Sequence, residues 1–440
     1  MYIIGQTALL SLWRMVSVAI SPKRLLHLAR SLRQLPYLRA NSRAITPSVQ
    51  RKLLLSILRR NRLVNQPVAI ESTTPLTIDK LGFLGFYKGS FDGPLVSVIM
   101  PVYNSAKFLE TAISGVLGQS YKNLELIIVD DASTDTSKAV AKKAAKQDAR
   151  VRVLSVSKNG GAYAARNLAL ANATGEFVTV HDADDWSHPK KLEVQALDLI
   201  ENSRHIANTS EGVRVASKPG NSFEYFPVRG RQFIRPNISS LMFRRAEVVE
   251  ALGNWDEVRF GGDSEFAERM AAVFGADSVV NLKTGPLSFT RVHAGSLTSS
   301  QGSSTHLGIR GARRFYIQRY NLWHAEIAAG RASGHLGAKS AGRPFFLPQQ
   351  LTDRVVKHPA FESVLVADLT KEGQTSLVSK AKKPLALLHT TPLTSTESIA
   401  SDLLPFVDFD KIVILFEGEK AKVRRKGGRD FDQIDTSFNG

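Results

Sequence analysis

Between residues 95 and 185, short β-branched apolar runs alternate with stretches of helical periodicity, and each run ends in polar residues. The run at 95–102 is short and almost wholly apolar, which reads as a buried strand. Phe108, Ala112 and Val116, with Leu109, Ile113 and Leu117 beside them, then repeat at helical spacing. A second strand is predicted at 124–129, and Ser133, Thr134 and Asp135 are cap-type residues opening a helix at 138–147. A third strand at 151–156, a helix at 162–173 and a fourth strand at 177–180 complete the pattern. This alternation predicts an α/β fold with a mostly parallel sheet and right-handed crossovers.

Open sheets of this type take ligands at the carboxyl ends of their strands. The polar clusters fall there: Pro101-Val102-Tyr103-Asn104, Asp130-Asp131, Asn159-Gly160-Gly161 and Asp182-Ala183-Asp184-Asp185 each follow one strand. Carboxylates two apart just beyond a strand, such as Asp182 and Asp184, can converge on a hard divalent ion, Mg²⁺ or Mn²⁺. The alternative is an acidic turn capping the helix that follows Pro189. Asp131 can accept a hydrogen bond from the N–H of a nucleotide base, or cap a helix. Tyr103 can lie against a base or ribose, or belong to the core. The small residues at Gly160 and Gly161 let a nucleotide approach the backbone, although they are too few for a dinucleotide or P-loop fingerprint. Arg166, on the next helix, faces either phosphate or a buried carboxylate.

The segments at 98–104, 128–135, 159–167 and 181–186, taken in order and spacing, resemble the successive signatures of glycosyltransferase family 2. The similarity runs from about 95 to 299. It implies a Rossmann-like GT-A fold, an inverting transfer and a nucleotide-sugar donor, with a UDP-sugar favoured. It also implies donor contacts from Pro101, Tyr103, Asn104, Asp131, Gly161, Arg166, Asp182 and Asp184, and an Mn²⁺ or Mg²⁺ ion at Asp184, Asp185 and His293. Phe260-Gly261-Gly262-Asp263-Ser264-Glu265-Phe266 resembles the family's acidic motif, with Asp263 in the position of the catalytic base and Glu265 as the alternative. Gly262 departs from that pattern, because the family often carries another acid there. Ser239, Ser240, Trp255 and Asp256 fit the family's acceptor region, or pack the core.

Outside this region the chain is unusual in charge. Its formal net charge is +18, and twelve of its basic residues precede the first acid, Glu71. A basic arm of this kind seeks polyanions. The leucine-bearing stretches at 22–38 and 50–63 read as amphipathic basic helices, which either lie on an anionic membrane surface or pack on the catalytic domain. Arg14 interrupts the apolar start, so no span is expected, and no secretory leader is expected without a positive first region. A mitochondrial transit segment has similar chemistry. No nucleic-acid partner is expected, since no recognised module accompanies the arm. The absence of cysteine excludes thiolate metal sites and cysteine nucleophiles and fits a cytoplasmic setting, while the basic arm at 1–63 is what would place the chain peripherally on the inner membrane face.

Three regions are expected: a basic helical arm at 1–90, the GT-A domain at 91–330, and a linker rich in Gly, Ala and Ser followed by a small α/β unit at 331–440. The expected function is transfer to a hydroxyl of a glycan or lipid-linked acceptor in bacterial polysaccharide synthesis. The alternative is a catalytically silent homologue serving as a membrane-surface scaffold. A nucleotidyltransferase is disfavoured, because 101–104 lacks a lysine-bearing glycine loop.

Overall fold

A computed structural model describes residues 46–68, 76–85, 87–218, 221–226, 233–293, 311–345, 347, 349–352, 360–381, 385–389, 399–404, 412–415, 420–424 and 431–435. The expected helix at 22–38 and the rest of 1–45 lie outside the described residues. Strands β1 (Val96–Val102), β2 (Leu124–Asp130), β3 (Val151–Ser155) and β4 (Phe177–Val180) alternate with helices α2 (Ala106–Leu117), α3 (Ser137–Gln147) and α4 (Ala162–Ala171). They follow α1 (Pro47–Arg60). The strands pair in parallel as β4-β1-β2-β3. Because β2 lies on one side of β1 and β4 on the other, the strand order reverses at β1, and a crevice opens there at the carboxyl ends.

After β4 the chain makes β5 (Trp186–Ser187), α5 (Lys191–Glu201), β6 (Ala207–Thr209), β7 (Glu211–Lys218), β8 (Asn221–Phe226) and β9 (Ile234–Pro236). Then come β10 (Met242–Arg244), α6 (Arg245–Leu252), α7 (Gly262–Phe274), β11 (Val279–Asn281), β12 (Ser288–Val292) and α8 (Gly311–Ala328). The main sheet has seven strands in the order β11-β6-β10-β4-β1-β2-β3, with β10 antiparallel to both neighbours. A second sheet runs β5-β12-β7-β8, with β9 also on β7.

Both faces of the main sheet are covered, which explains why its strands are continuously apolar. Val98, Met100, Leu126 and Ile128 face Leu109, Ala112, Ile113 and Val116 of α2 and Leu192 of α5. Ile99, Ile127 and Val129 face Ala165 and Ala169 of α4, and this core continues through Phe266 and Met270 of α7 to Tyr316 and Tyr320 of α8. Each fully buried large aliphatic side chain contributes about 1.5–3 kcal/mol.

Helix α1 forms where Thr46 caps the amide of Val49 and Pro47 stands in the first turn. Its apolar side is inside the protein: Leu54, Leu55, Ile57 and Leu58 are 0–2% exposed and pack with Trp186, Val213 and Phe289. Of the two expected placements for 50–63, the structure has the packed one, and Lys52, Arg59, Arg60 and Arg62 are left in solvent. No helix among the described residues is long and apolar enough to cross a membrane.

The stretch at 330–344, expected as a linker, is exposed at Ser333, Ala338, Ala341 and Gly342 but buried at Gly334, Leu336 and Ser340. Leu336 is buried, its carbonyl accepts from the Asn254 amide at 3.0 Å, and its amide donates to Leu252 at 2.9 Å. Gly334 lets the segment lie close to α7, since a Cβ there would stand 2.6 Å from Val273. Beyond it, the small α/β unit contains β13 (Ser363–Ala367), β14 (Leu385–His389) and β15 (Ile412–Leu415), a parallel sheet with α9 (Thr375–Lys380) between the first two. Leu385, Leu387 and Ile414 belong to the same core as α8.

His188 ties the segment after α1 to the domain. Its Nδ1 accepts from the Lys190 amide, so Nε2 carries the proton and donates to the Leu63 carbonyl at 2.8 Å. Burial lowers its pKa to about 3, from an ordinary 6.5.

Two outcomes are expected. Leu58→Ala should destabilise the protein by about 2–5 kcal/mol in urea unfolding without lipid, whereas a helix resting on a bilayer would lose nothing there. As pH falls from 6.5 toward 3, the unfolded state takes a proton on His188 that the folded state refuses, so stability should drop with acidification. Calorimetry near about pH 5 should show proton uptake on unfolding, reduced by roughly one proton in His188→Asn.

Candidate active site

The four polar clusters meet at the crevice. Tyr103 stands at the end of β1, 38% exposed, just past Pro101. Asn104 takes a left-handed conformation, φ 49°, so that its Oδ1 accepts from the amide and hydroxyl of Thr134 while its own amide donates to Ser133. The loops after β1 and β2 are thereby bound together.

Asp131 is 3% exposed, and its two oxygens accept from the amides of Gly160 and Gly161, each at 2.8 Å. Its carboxylate organises the glycine loop that precedes α4. Gly161 has φ 90°, a conformation in which a side chain would be strained.

Arg166 of α4 occupies the centre. Its guanidinium, 4% exposed, donates through Nη2 to Asp182 Oδ1 at 3.0 Å and through Nη1 to Asp263 Oδ1. Burial opposes its charge, but Asp263 and Asp182 outweigh that and raise its pKa. Tyr163 donates its hydroxyl to Asp263 Oδ2 at 3.2 Å and receives the Asp263 amide at 3.2 Å. One buried cation thus joins the aspartate after β4 to the aspartate in the first turn of α7. The sequence left open whether Arg166 meets phosphate or carboxylate; here it meets two carboxylates.

The departure at Gly262 has a steric reason. A Cβ there would stand 3.0 Å from the Tyr163 ring and 3.2 Å from the Asp256 carbonyl. No larger residue fits without moving Tyr163, the side chain that orients Asp263.

Glu265, the alternative to Asp263, lies on the wrong side of α7. It is 0% exposed, with Oε1 2.8 Å from Arg269 Nε and 3.2 Å from His324 Nε2. An acceptor hydroxyl has no access to it. Asp256 is similarly internal, accepting from Tyr316 at 2.9 Å and Arg343 at 3.2 Å. Ser240 and Trp255 are 0% and 1% exposed, so these residues pack the core and do not line an acceptor pocket.

The Asp184-Asp185 turn is positioned by the second sheet. Phe289 of β12 pairs with Trp186 of β5, and continuing that antiparallel register sets Arg291 opposite Asp184. The Arg291 amide donates to Asp185 Oδ1 and its Nε to the Asp184 carbonyl, both at 2.8 Å. Asp185 is 7% exposed, and burial, with the charges of Asp184 and Asp182, pushes its pKa well up. It supports the turn from inside. Lys191, unremarked in the sequence, is 3% exposed nearby; burial lowers its pKa to about 8, while Asp185 and Asp182 act in the opposite direction.

Asp184 and His293 face each other, with Oδ2 and Nε2 2.9 Å apart and both side chains over a quarter exposed. One carboxylate and one imidazole suit a divalent ion that takes its other ligands from phosphate and water. Among the described residues, no three acidic or histidine side chains converge on one point. Of the expected metal ligands, Asp184 and His293 fit such an ion; the inward-held Asp185 does not join them.

Part of the chain is similar to known proteins. Residues 97–237 match the family described as Glycosyl transferase family 2. A glycosyltransferase GlyG from Streptococcus pneumoniae is 44% identical over 163 residues, 37% of this chain and 51% of that protein. An uncharacterized glycosyltransferase from Haemophilus influenzae is 38% identical over 131 residues, 30% of this chain and 52% of that protein. The chain therefore spans about half the length of the curated relatives it matches. Among solved structures, Staphylococcus aureus TarS 1–349 with UDP is similar over 45% of this chain and 61% of that one, at 21% identity and a TM-score of 0.37. The βαβ sheet, its switch-point crevice and the carboxylates that follow β2 and β4 lie within residues 97–237, the segment that is similar to glycosyltransferase family 2.

Proposed function

We propose that this chain transfers a glycosyl group, with inversion, from a nucleotide-diphosphate sugar to a hydroxyl of a glycan or lipid-linked acceptor in bacterial polysaccharide synthesis. The observation that carries this reading is the Arg166 bridge, which brings Asp182 of the donor-side cluster and Asp263 of the acceptor side onto one guanidinium. A single displacement needs those two functions adjacent. As the acceptor oxygen bonds to the anomeric carbon and the bond to the departing diphosphate breaks, the hydroxyl proton passes to Asp263. Arg166 and Tyr163 fix the direction of that carboxylate, so the base does not have to be reorganised during the reaction.

Asp184 and His293 would hold Mn²⁺ or Mg²⁺, whose chemistry is to offset negative charge on the diphosphate. Tyr103 and the loop at 159–161 offer an aromatic surface and close backbone approach for the nucleoside, with UDP-sugars the first donors to test. Where an anionic membrane surface is engaged, the contact is through the charges of 1–63, since α1 has its apolar side in the core. A cytoplasmic position, peripheral to the inner membrane face, is the setting this implies.

A thermal-shift panel of UDP, GDP, dTDP and CMP with Mn²⁺ or EDTA tests the reading, because a ligand of the folded state raises its melting temperature. Stabilisation by one nucleotide with Mn²⁺, lost in Asp184→Ala, is expected; no response to any nucleotide would favour the silent-scaffold alternative. Asp263→Asn should keep that nucleotide response while transfer falls by about 10²–10⁴-fold. Near-normal transfer would remove Asp263 from the role of base.

A further inference from the structure

Arg291 is the side chain that holds the Asp184-Asp185 turn, and its own placement comes from outside the matched family segment. Its guanidinium is 5% exposed. Nη2 donates to Asp79 Oδ1 at 2.6 Å and Nη1 to Asp79 Oδ2 at 3.2 Å, a bidentate pair. Asp79 belongs to the short turn of 3₁₀ helix at Ile78–Lys80, and Thr111 of α2 donates to its Oδ1 at 2.8 Å. The Phe108 ring lies 4.4 Å from the Arg291 guanidinium carbon and 5.0 Å from the His293 ring. Phe108 of α2 therefore touches both Arg291 and His293.

Two further hydrogen bonds of Arg291 lead to the site. Its Nε holds the Asp184 carbonyl and its amide holds the Asp185 carboxylate. A buried guanidinium keeps one orientation only while its charge and its donors are satisfied. Removing the Asp79 carboxylate leaves that charge uncompensated and lets the fork rotate. The main chain of Asp184 then loses its fixed neighbour, and with it the 2.9 Å approach of Asp184 to His293.

We propose that Asp79 is a positioning residue for the nucleoside diphosphate and its divalent cation, acting through Arg291 on Asp184 and His293. The inference rests on the reading of Asp184 and His293 given above. It makes the segment at 76–85, ahead of the family domain, an integral part of the donor site. Groups that orient metal ligands from behind typically change metal affinity by about 10–100-fold when removed.

The test titrates Mn²⁺ into the full chain with saturating UDP, or GDP where UDP does not bind, and reads the melting temperature and the Mn²⁺ paramagnetic resonance signal. Asp79→Asn, which keeps shape but not charge, and Asp79→Ala should each raise the Mn²⁺ midpoint, by about tenfold or more in the alanine variant. Binding of the nucleotide in EDTA should be unchanged, and Asp79→Glu should recover part of the metal response. In donor kinetics the loss should appear in KM at limiting Mn²⁺ and shrink as Mn²⁺ is raised. A Mn²⁺ midpoint equal to that of the parent chain in both Asp79→Asn and Asp79→Ala would overturn the proposal while leaving the site reading intact. Absence of any Mn²⁺-dependent nucleotide response in the parent chain would instead overturn the site reading, and the proposal with it. Should Asp79→Ala fail to fold, Asp79→Asn and Thr111→Val carry the comparison, with a smaller shift expected for the threonine.

Discussion

A guanidinium that is almost wholly buried cannot stand alone, and Arg166 is held between two carboxylates that come from different parts of the chain. Asp182 follows β4 of the parallel sheet; Asp263 opens α7, on the far side of the β6 to β10 excursion. Their separations from Arg166 are 16 and 97 residues. The cost of dehydrating three charges is offset only if all three partners are in place together. The fold therefore has to bring α4, the end of β4 and the start of α7 to one point, and Tyr163 and Gly262 are shaped around that meeting.

The remaining carboxylates divide into two groups by what surrounds them. Asp131, Asp185, Asp256 and Glu265 are internal, and each accepts from or pairs with fixed protein groups: loop amides, a strand amide, a tyrosine with an arginine, or an arginine with a histidine. Asp184 and Asp263 retain partial exposure and face the crevice. Burial thus separates acids that build the site from acids able to meet a substrate. Acids within a few positions of one another fall on opposite sides of that line, as Asp184 and Asp185 do, and as Asp263 and Glu265 do.

Much of the fold is legible in the chain because its signals are local. Strand runs end where the structure ends them to within a residue or two, since β-branched runs and helical repeats are read over short windows. The helix at 47–60 is equally legible as a helix, but not in its placement: the leucines that could face lipid face Trp186 and Phe289 instead. The stretch at 330–344 shows the limit of composition: small residues that suggest a linker also permit close approach, as Gly334 does against Val273.

Periodicity, turn residues and the order of polar clusters determine from the sequence alone that a parallel sheet forms and that its carboxyl edge carries the chemistry. Only the tertiary structure decides which acids reach the crevice and which are enclosed. Arg291 and Asp79 show why, since their bidentate pair joins residues 212 positions apart. No local pattern marks such a pair. Its strength comes from burial and geometry, and both exist only once two distant segments have packed against the same helix.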